Sequence, residues 1–157
     1  MPFHIIDKRA LPINTIKSEA RRLKNEIPDL GVIAVDYVQL VQSSRRYSNR
    51  EQEVADVTRN LKALAGELDL PIILCSQINR QHETNGDKRP QLSSMRESGE
   101  LEQTADLIAF LYREDYYDEN SENEGLCELI VRKNRNGPTG TVMLEFEKET
   151  MSFSDAF

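Results

Sequence analysis

The chain has 157 residues, of which 38% are hydrophobic and 30% charged, and a net charge of −7. That is enough for one ordinary domain with a real core, and no apolar run approaches the roughly 20 residues that span a bilayer. Met1 to Asp7 has no basic stretch followed by an apolar one, so it does not read as a signal peptide. Two histidines make a His-built metal site improbable, and Cys75 and Cys127 read as buried, reduced thiols of a cytoplasmic protein.

In chain order, Phe3–Ile6 is a short apolar run that predicts a strand. Pro12 and Asn14-Thr15 start a helix that carries Ile16, Ala20, Leu23 and Ile27 at helical spacing, and Pro28 and Gly31 end it. Val32-Ile33-Ala34-Val35 is an uninterrupted apolar run ending in Asp36, a pattern that suits a strand buried on both faces. Ser43 to Asn49 is a polar, arginine-bearing loop. Ser48 with Glu51 reads as a capping box for a helix whose stripe is Val54, Val57, Leu61, Leu64 and Leu68. A second buried strand follows in Pro71 to Cys75, closing in Ser76-Gln77.

A long polar segment then runs over 79–99, and its length and polarity mark it as a functional, mobile loop. A short helix through Leu101 and Ala105 leads to a strand over Leu107–Tyr112. Glu114 to Glu124 holds six acids in eleven residues and reads as a solvated loop or hairpin tip. Cys127–Val131 and Val142–Phe146 look like two strands joined by a basic turn. Strand–helix–strand alternation followed by a hairpin gives an α/β domain with a mostly parallel sheet and a C-terminal antiparallel hairpin.

Ligands of such sheets sit beyond the carboxyl ends of the strands, where Asp36, Ser76 and Gln77 fall. An aspartate ending a dry strand can hold Mg²⁺ through its water shell, although many such residues are only turn caps. The amide of Gln77 can donate to a terminal phosphate and accept from water, which suits a sensor. Lys133 and Arg135 flank a run ending in Asn136-Gly137-Pro138. They are either solvated residues of a tight turn or charges projected from a rigid hairpin toward a neighbouring subunit's triphosphate. Spacing alone leaves both readings open. With the acidic stretch set aside the remainder is close to neutral. Its basic residues gather at Arg45, Arg46 and Arg50, at Arg80, Lys88, Arg89 and Arg96, and at Arg132, Lys133 and Arg135.

Four strings in order carry a resemblance. They are Val35-Asp36-Tyr37-Val38-Gln39-Leu40, Ser76-Gln77-Ile78-Asn79-Arg80, Arg96-Glu97-Ser98-Gly99 with Glu102-Gln103, and Lys133-Asn134-Arg135-Asn136-Gly137-Pro138-Thr139-Gly140. Together they resemble the DnaB-type replicative DNA helicases over nearly the whole chain. The resemblance implies that 1–157 is a single, partial RecA-like (P-loop NTPase-type) domain. It also implies ATP and Mg²⁺ as cofactors, single-stranded DNA as partner and a homo-hexameric parent.

Residue by residue, it makes Asp36 the Walker B aspartate, Gln77 the γ-phosphate sensor, Arg135 an arginine finger and Lys133 its companion. Arg96, Glu97 and Gly99 match a loop that tracks the DNA backbone, within a DNA-binding loop over 79–99 that also holds Arg80, Lys88 and Arg89. Arg45, Arg46 and Arg50 lie where another channel-facing loop is expected. Ser94 and Thr104 stand where the family tends to have aspartates.

No Gly-x-x-x-x-Gly-Lys-Ser/Thr loop occurs in the sequence. The expectation is therefore a helicase fragment, or one half of a split gene, without its phosphate loop and catalytic glutamate and inactive alone. Primase and helicase loader would be met through missing regions, and no membrane is involved. Two alternatives are another RecA-like ring ATPase and a non-catalytic paralogue that regulates a helicase ring. The Arg-Glu-Ser-Gly run and the Lys-x-Arg-Asn-Gly turn weigh against the first, and intact Asp36, Gln77 and Arg135 against the second.

Overall fold

A computed structural model of the chain describes residues 3–8, 10–78, 88–118 and 120–156, with the side chains of 96–98 outside that description. Two units build the chain: Met1–Asn79 with Met95–Thr104, and Arg80–Ser94 with Ala105–Phe157.

The first unit opens with helix α1, Ile13–Glu26. Its N-cap, Pro12, offers no side-chain cap. The Ile13 N–H instead donates to the Gln42 carbonyl at 2.8 Å, and the Gln42 N–H donates to Leu11 at 3.1 Å. Ile13 and Ala20 are buried on one face. Beside them, Arg21 forks onto both oxygens of Glu67 at 2.5 and 2.8 Å, and Lys17 reaches Asn60 at 3.2 Å. Both partners lie on helix α2, Arg50–Leu68. Most of the stripe read from sequence is its core: Val54, Val57, Leu61 and Leu64 are buried, each worth about 1.5–3 kcal/mol by area removed from water, while Leu68 at the helix end is half-buried. The cap differs from the sequence reading. Asn49, not Ser48, caps α2, its Oδ1 accepting from the Glu51 N–H at 2.9 Å.

Strands β1, Ile33–Val35, and β2, Ile72–Leu74, pair in parallel with Ile33 opposite Ile72 and Val35 opposite Leu74. They were expected to be buried on both faces, and they are not. α2 packs against β2, while the paired residues Ala34 and Ile73 are exposed, Ile73 to 57%. Cys75, expected to be buried, is also exposed. Phe3–Ile6 forms no strand. An apolar run becomes a strand only when an edge pairs with it, and no described strand does so here. A 3-10 stretch covers Leu92–Ser98, and helix α3, Gly99–Thr104, follows it in the first unit; part of the segment read as a loop is therefore helical. Arg59 on α2 pairs with Glu100 on α3 at 3.0 Å.

The second unit is a four-stranded antiparallel sheet in the order β3, Leu107–Tyr112; β4, Leu126–Asn134; β5, Gly140–Glu147; β6, Ser152–Asp155. The antiparallel part of the fold is thus larger than the anticipated hairpin, and the parallel part is limited to two strands. β6 escaped the sequence reading because Ser-Phe-Ser-Asp carries no apolar run and all four residues are exposed. β3 alternates cleanly: Ile108, Phe110 and Tyr112 are buried, and Leu107, Ala109 and Leu111 exposed. On the buried face the register sets Phe110 beside Ile130 and Tyr112 beside Glu128. Arg89 lies over the Tyr112 ring with 5.0 Å to its centroid and forks onto Glu128 at 2.6 to 3.0 Å. Among the described residues no helix is long and apolar enough to cross a membrane.

Candidate functional site

In the first unit, the parallel pairing of β1 and β2 brings Asp36 and Ser76-Gln77 to the carboxyl ends of neighbouring strands. The ladder continues past the strands: the Cys75 N–H donates to Val35 at 3.0 Å and the Val38 N–H to Cys75 at 2.9 Å. Asp36 and Gln77 are exposed, and the Asp36–Tyr37 peptide is cis. Among the described residues Asp36 has no ion pair. Gln39, on the 3-10 turn Val38–Leu40, was not singled out from sequence as a site residue, yet it bonds the residues just beyond β2. Its Nε2 donates to Ser76 Oγ at 3.1 Å and to the Gln77 carbonyl at 3.2 Å. Its Oε1 accepts from the Gln77 N–H at 3.3 Å. A glutamine within an otherwise apolar Val-Gln-Leu turn was the signal that could have found it.

The basic residues separate into three states. Arg45 and Arg46 are exposed and make no ion pair among the described residues. Arg50 is docked: its guanidinium donates to Glu53 and to the backbone carbonyl of Gln39. Lys88 lies over the Tyr117 ring with 5.2 Å to its centroid, and Arg89 is held by Glu128 and Tyr112. Arg80 lies outside the described residues, as do the side chains of Arg96 and Glu97. Gly99 starts α3, where an added Cβ would meet nothing within 4 Å. Ser94 and Thr104 serve local structure. Ser94 Oγ accepts from the Gln91 N–H at 3.1 Å, and Thr104 Oγ1 donates to Glu100 at 3.0 Å.

In the second unit, a bulge opposite Ile108 and Ala109 shifts the β3–β4 register, so that Lys133 pairs with Ile108 and Val131 with Ala109. The strand ends at Asn134, whose side-chain oxygen accepts from the Asn136 N–H at 3.2 Å and shapes the turn. Lys133 therefore sits half-buried on the ladder, whereas exposed Arg135 enters the turn. The Arg135 N–H donates to the Asp106 carbonyl at 2.9 Å, and its guanidinium meets the Asp106 carboxylate at 3.3 Å. Both side chains of this pair are about half exposed, at 49% and 51%. Such a pair contributes about 0–1 kcal/mol, so a stronger anion can take the guanidinium from Asp106.

Further along this sheet, Asp115 accepts from Arg113 at 3.1 Å and pairs with Lys148 at 3.0 Å, with only 4% of its side chain exposed. The Arg113 guanidinium holds its carboxyl down to about 2, against the opposing effect of burial, with Lys148 and the Gly125 N–H adding to the same direction. This part of the acidic stretch is structural, not a solvated tip.

These residues fit a nucleotide and its magnesium ion only in part. Asp36 supplies one hard carboxylate oxygen site, and Gln77 an amide beside it. Among the described residues there is no group of three or more His, Cys, Asp or Glu side chains that could hold a metal ion. Asp36 and Gln77 thus place a carboxylate and an amide at the ends of adjacent parallel strands in a mixed α/β chain.

The family model of the DnaB-like helicase C terminal domain matches residues 1–155, and the chain belongs to that family. It is 50% identical over 151 residues to the replicative DNA helicase DnaB of Geobacillus stearothermophilus, covering 96% of this chain and 33% of that protein. Against the replicative DNA helicase DnaC of Bacillus subtilis (strain 168) it is 49% identical, with coverage of 96% and 33%. The chain thus spans about a third of the length of the curated relatives it matches. Among solved structures, an isolated ATPase domain matches with a TM-score of 0.90 and 43% identity, over 94% of this chain and 52% of that one. A DnaB-like replicative helicase, described with its interactions with primase, matches with the same TM-score and identity over 94% and 36%.

Proposed function

We propose that this chain is the part of a replicative DNA helicase motor that carries magnesium support, phosphate sensing and the charge given to a neighbouring subunit. The single observation that carries this reading is the juxtaposition of Asp36 and Gln77 at the ends of paired parallel strands. In the assembled motor, ATP with Mg²⁺ supplies the free energy for translocation on single-stranded DNA and unwinding of duplex. Asp36 would hold the ion through water. Gln77 would donate its amide to the terminal phosphate oxygen and respond to its loss.

Arg135, with Lys133 beside it, would act in trans on nucleotide bound by the next copy of a homo-hexamer. Its exposed, weakly held pair with Asp106 suits a guanidinium that must change partners. Arg45 and Arg46 are the described cations best placed to meet phosphodiester oxygens, because neither is consumed by an internal ion pair. Arg89 is assigned instead to holding its own segment on the sheet. Residues 79–99, including Arg80, Lys88, Arg96, Glu97 and Gly99, remain the proposed DNA-binding loop. Contacts of this kind are to the backbone, so DNA binding would be nearly sequence-independent and weakened by salt. Primase and a helicase loader are the further partners proposed for the parent, met through other regions of it.

A chain without the phosphate loop's backbone amides and lysine has little to grip the β- and γ-phosphates, so it is expected to be inactive alone. The test is ATP hydrolysis by the 157-residue chain with Mg²⁺, with and without single-stranded DNA. The expected result is no turnover above background. Turnover that disappears in Asp36→Ala would contradict this account and require another phosphate grip within these residues.

A further inference from the structure

We infer that Gln39 is a positioning residue that fixes the backbone of Gln77 and ties it to Arg50. The inference rests on the proposed sensor role of Gln77 and assigns that role a support that the sequence motifs do not name. Gln77 lies two residues beyond Cys75, where the hydrogen bonds to the β1 segment end. An exposed glutamine beyond a strand end has many conformations available, and a sensor that responds to one phosphate must have few.

Gln39 supplies the missing constraint. Its side-chain amide faces the Gln77 backbone with donor to carbonyl and acceptor to N–H, at 3.2 and 3.3 Å, as a further strand residue would. The same Nε2 also donates to Ser76 Oγ at 3.1 Å, so the preceding residue is held too. An amide is the one neutral side-chain group that offers a donor and an acceptor side by side, so no aliphatic residue and no carboxylate reproduces the pair. Gln39 is itself held, because its carbonyl accepts from the guanidinium of Arg50, which also pairs with Glu53 in the first turn of α2. One hydrogen-bonded chain therefore runs from Arg50 through Gln39 to Gln77, entirely within the first unit. Arg50 follows directly on the polar loop that carries Arg45 and Arg46. An anion that draws its guanidinium away would remove one of the bonds that hold the Gln39 backbone, and so loosen the hold on Gln77.

The test is amide hydrogen exchange, read by NMR on the 157-residue chain without nucleotide. Gln39→Ala should speed exchange at the Gln77 N–H by about fivefold, the worth of one ordinary hydrogen bond. Gln39→Glu, which keeps the acceptor, should leave that N–H near its original rate. The Val38 and Cys75 amides, bonded to Cys75 and Val35, should stay within about twofold in both variants. Equal acceleration at all three amides, or none at Gln77, would overturn the inference. Arg50→Ala should also raise Gln77 exchange, and an unchanged rate would remove Arg50 from the chain.

A second readout uses Geobacillus stearothermophilus DnaB carrying this chain in place of its matching third. There Gln39→Ala should lower kcat for ATP hydrolysis by about tenfold with KM within about twofold, because the phosphate contact matters most in the transition state. An unchanged kcat would overturn the role. If Gln77→Ala leaves kcat unchanged while the exchange results hold, the sensor reading fails and the backbone clamp stands.

Discussion

Asp115 shows how one residue in an acidic stretch can be held by its surroundings to a purpose its neighbours do not share. Its carboxylate receives Arg113, Lys148 and the Gly125 N–H, and Arg113 in turn lies over the Phe146 ring at 4.2 Å. Gly125 adopts φ +74°, where a Cβ would be strained. The folded carboxyl titrates at about 2, below its ordinary value of 3.8. Stability from this group is therefore complete well above pH 4 and fades as pH falls toward 2. Asp115→Asn is expected to cost about 2 kcal/mol at pH 7 and much less at about pH 2.5, measured by urea unfolding at both values. An equal loss at both pH values would show that shape, not charge, is what Asp115 supplies. From sequence this residue could not be told from Asp118 or Glu122, because Lys148 is brought to it by the end of β5 and the Gly125 N–H by the turn before β4. The same holds for Arg89, whose pairing with Glu128 spans 39 residues. Gln39 likewise faces Gln77 across 38 residues, a pairing that no short motif records.

At the level of elements, α2 was the most legible part of the chain. Its stripe at positions 54, 57, 61 and 64 is periodic enough to need no tertiary support to be read, and all four residues are buried. Its ends were less legible. Asn49 takes the cap one residue later than the Ser48–Glu51 pattern suggests, its Oδ1 accepting from the Glu51 N–H. At the other end Asp69 adopts the left-handed conformation, φ 49°, with its N–H on Ala65. Glycine holds that conformation without the Cβ clash. Asp69→Gly is expected to stabilise the chain by about 0.5–1 kcal/mol, seen as a higher urea midpoint at unchanged slope. A lower midpoint would mean that the Asp69 side chain holds something worth more than the backbone strain. The strands were legible as apolar runs, but their partners were not. β3 reads the same whether it joins a parallel or an antiparallel neighbour, and β6 has no run to read.

Over the whole molecule, apolar surface is left open. Leu111, Leu129 and Val142 form one row across β3, β4 and β5, and Leu111 and Val142 are 57% and 52% exposed. In the other unit Ile73 is exposed beside Ala34. Surface of this kind draws a partner, another copy or the rest of a sheet. The chain by itself is expected to self-associate in sedimentation at micromolar concentration and to bind a hydrophobic dye. Leu111→Lys with Val142→Lys should weaken that association by at least about tenfold, since each covered aliphatic side chain is worth about 1.5–3 kcal/mol. A dye-negative monomer at high concentration would rule this out.

The sequence by itself determined the family, the α/β class, the core stripe of α2 and the identity of the strand-end residues, because these depend on local periodicity and on ordered short motifs. Only the tertiary structure decided which strands pair, which cations are consumed by internal partners and which faces stay open. Those outcomes depend on residues tens of positions apart. No local pattern records that Arg50 docks on Gln39, that Arg89 docks on Glu128, or that Arg135 rests on Asp106 while Arg45 and Arg46 stay exposed.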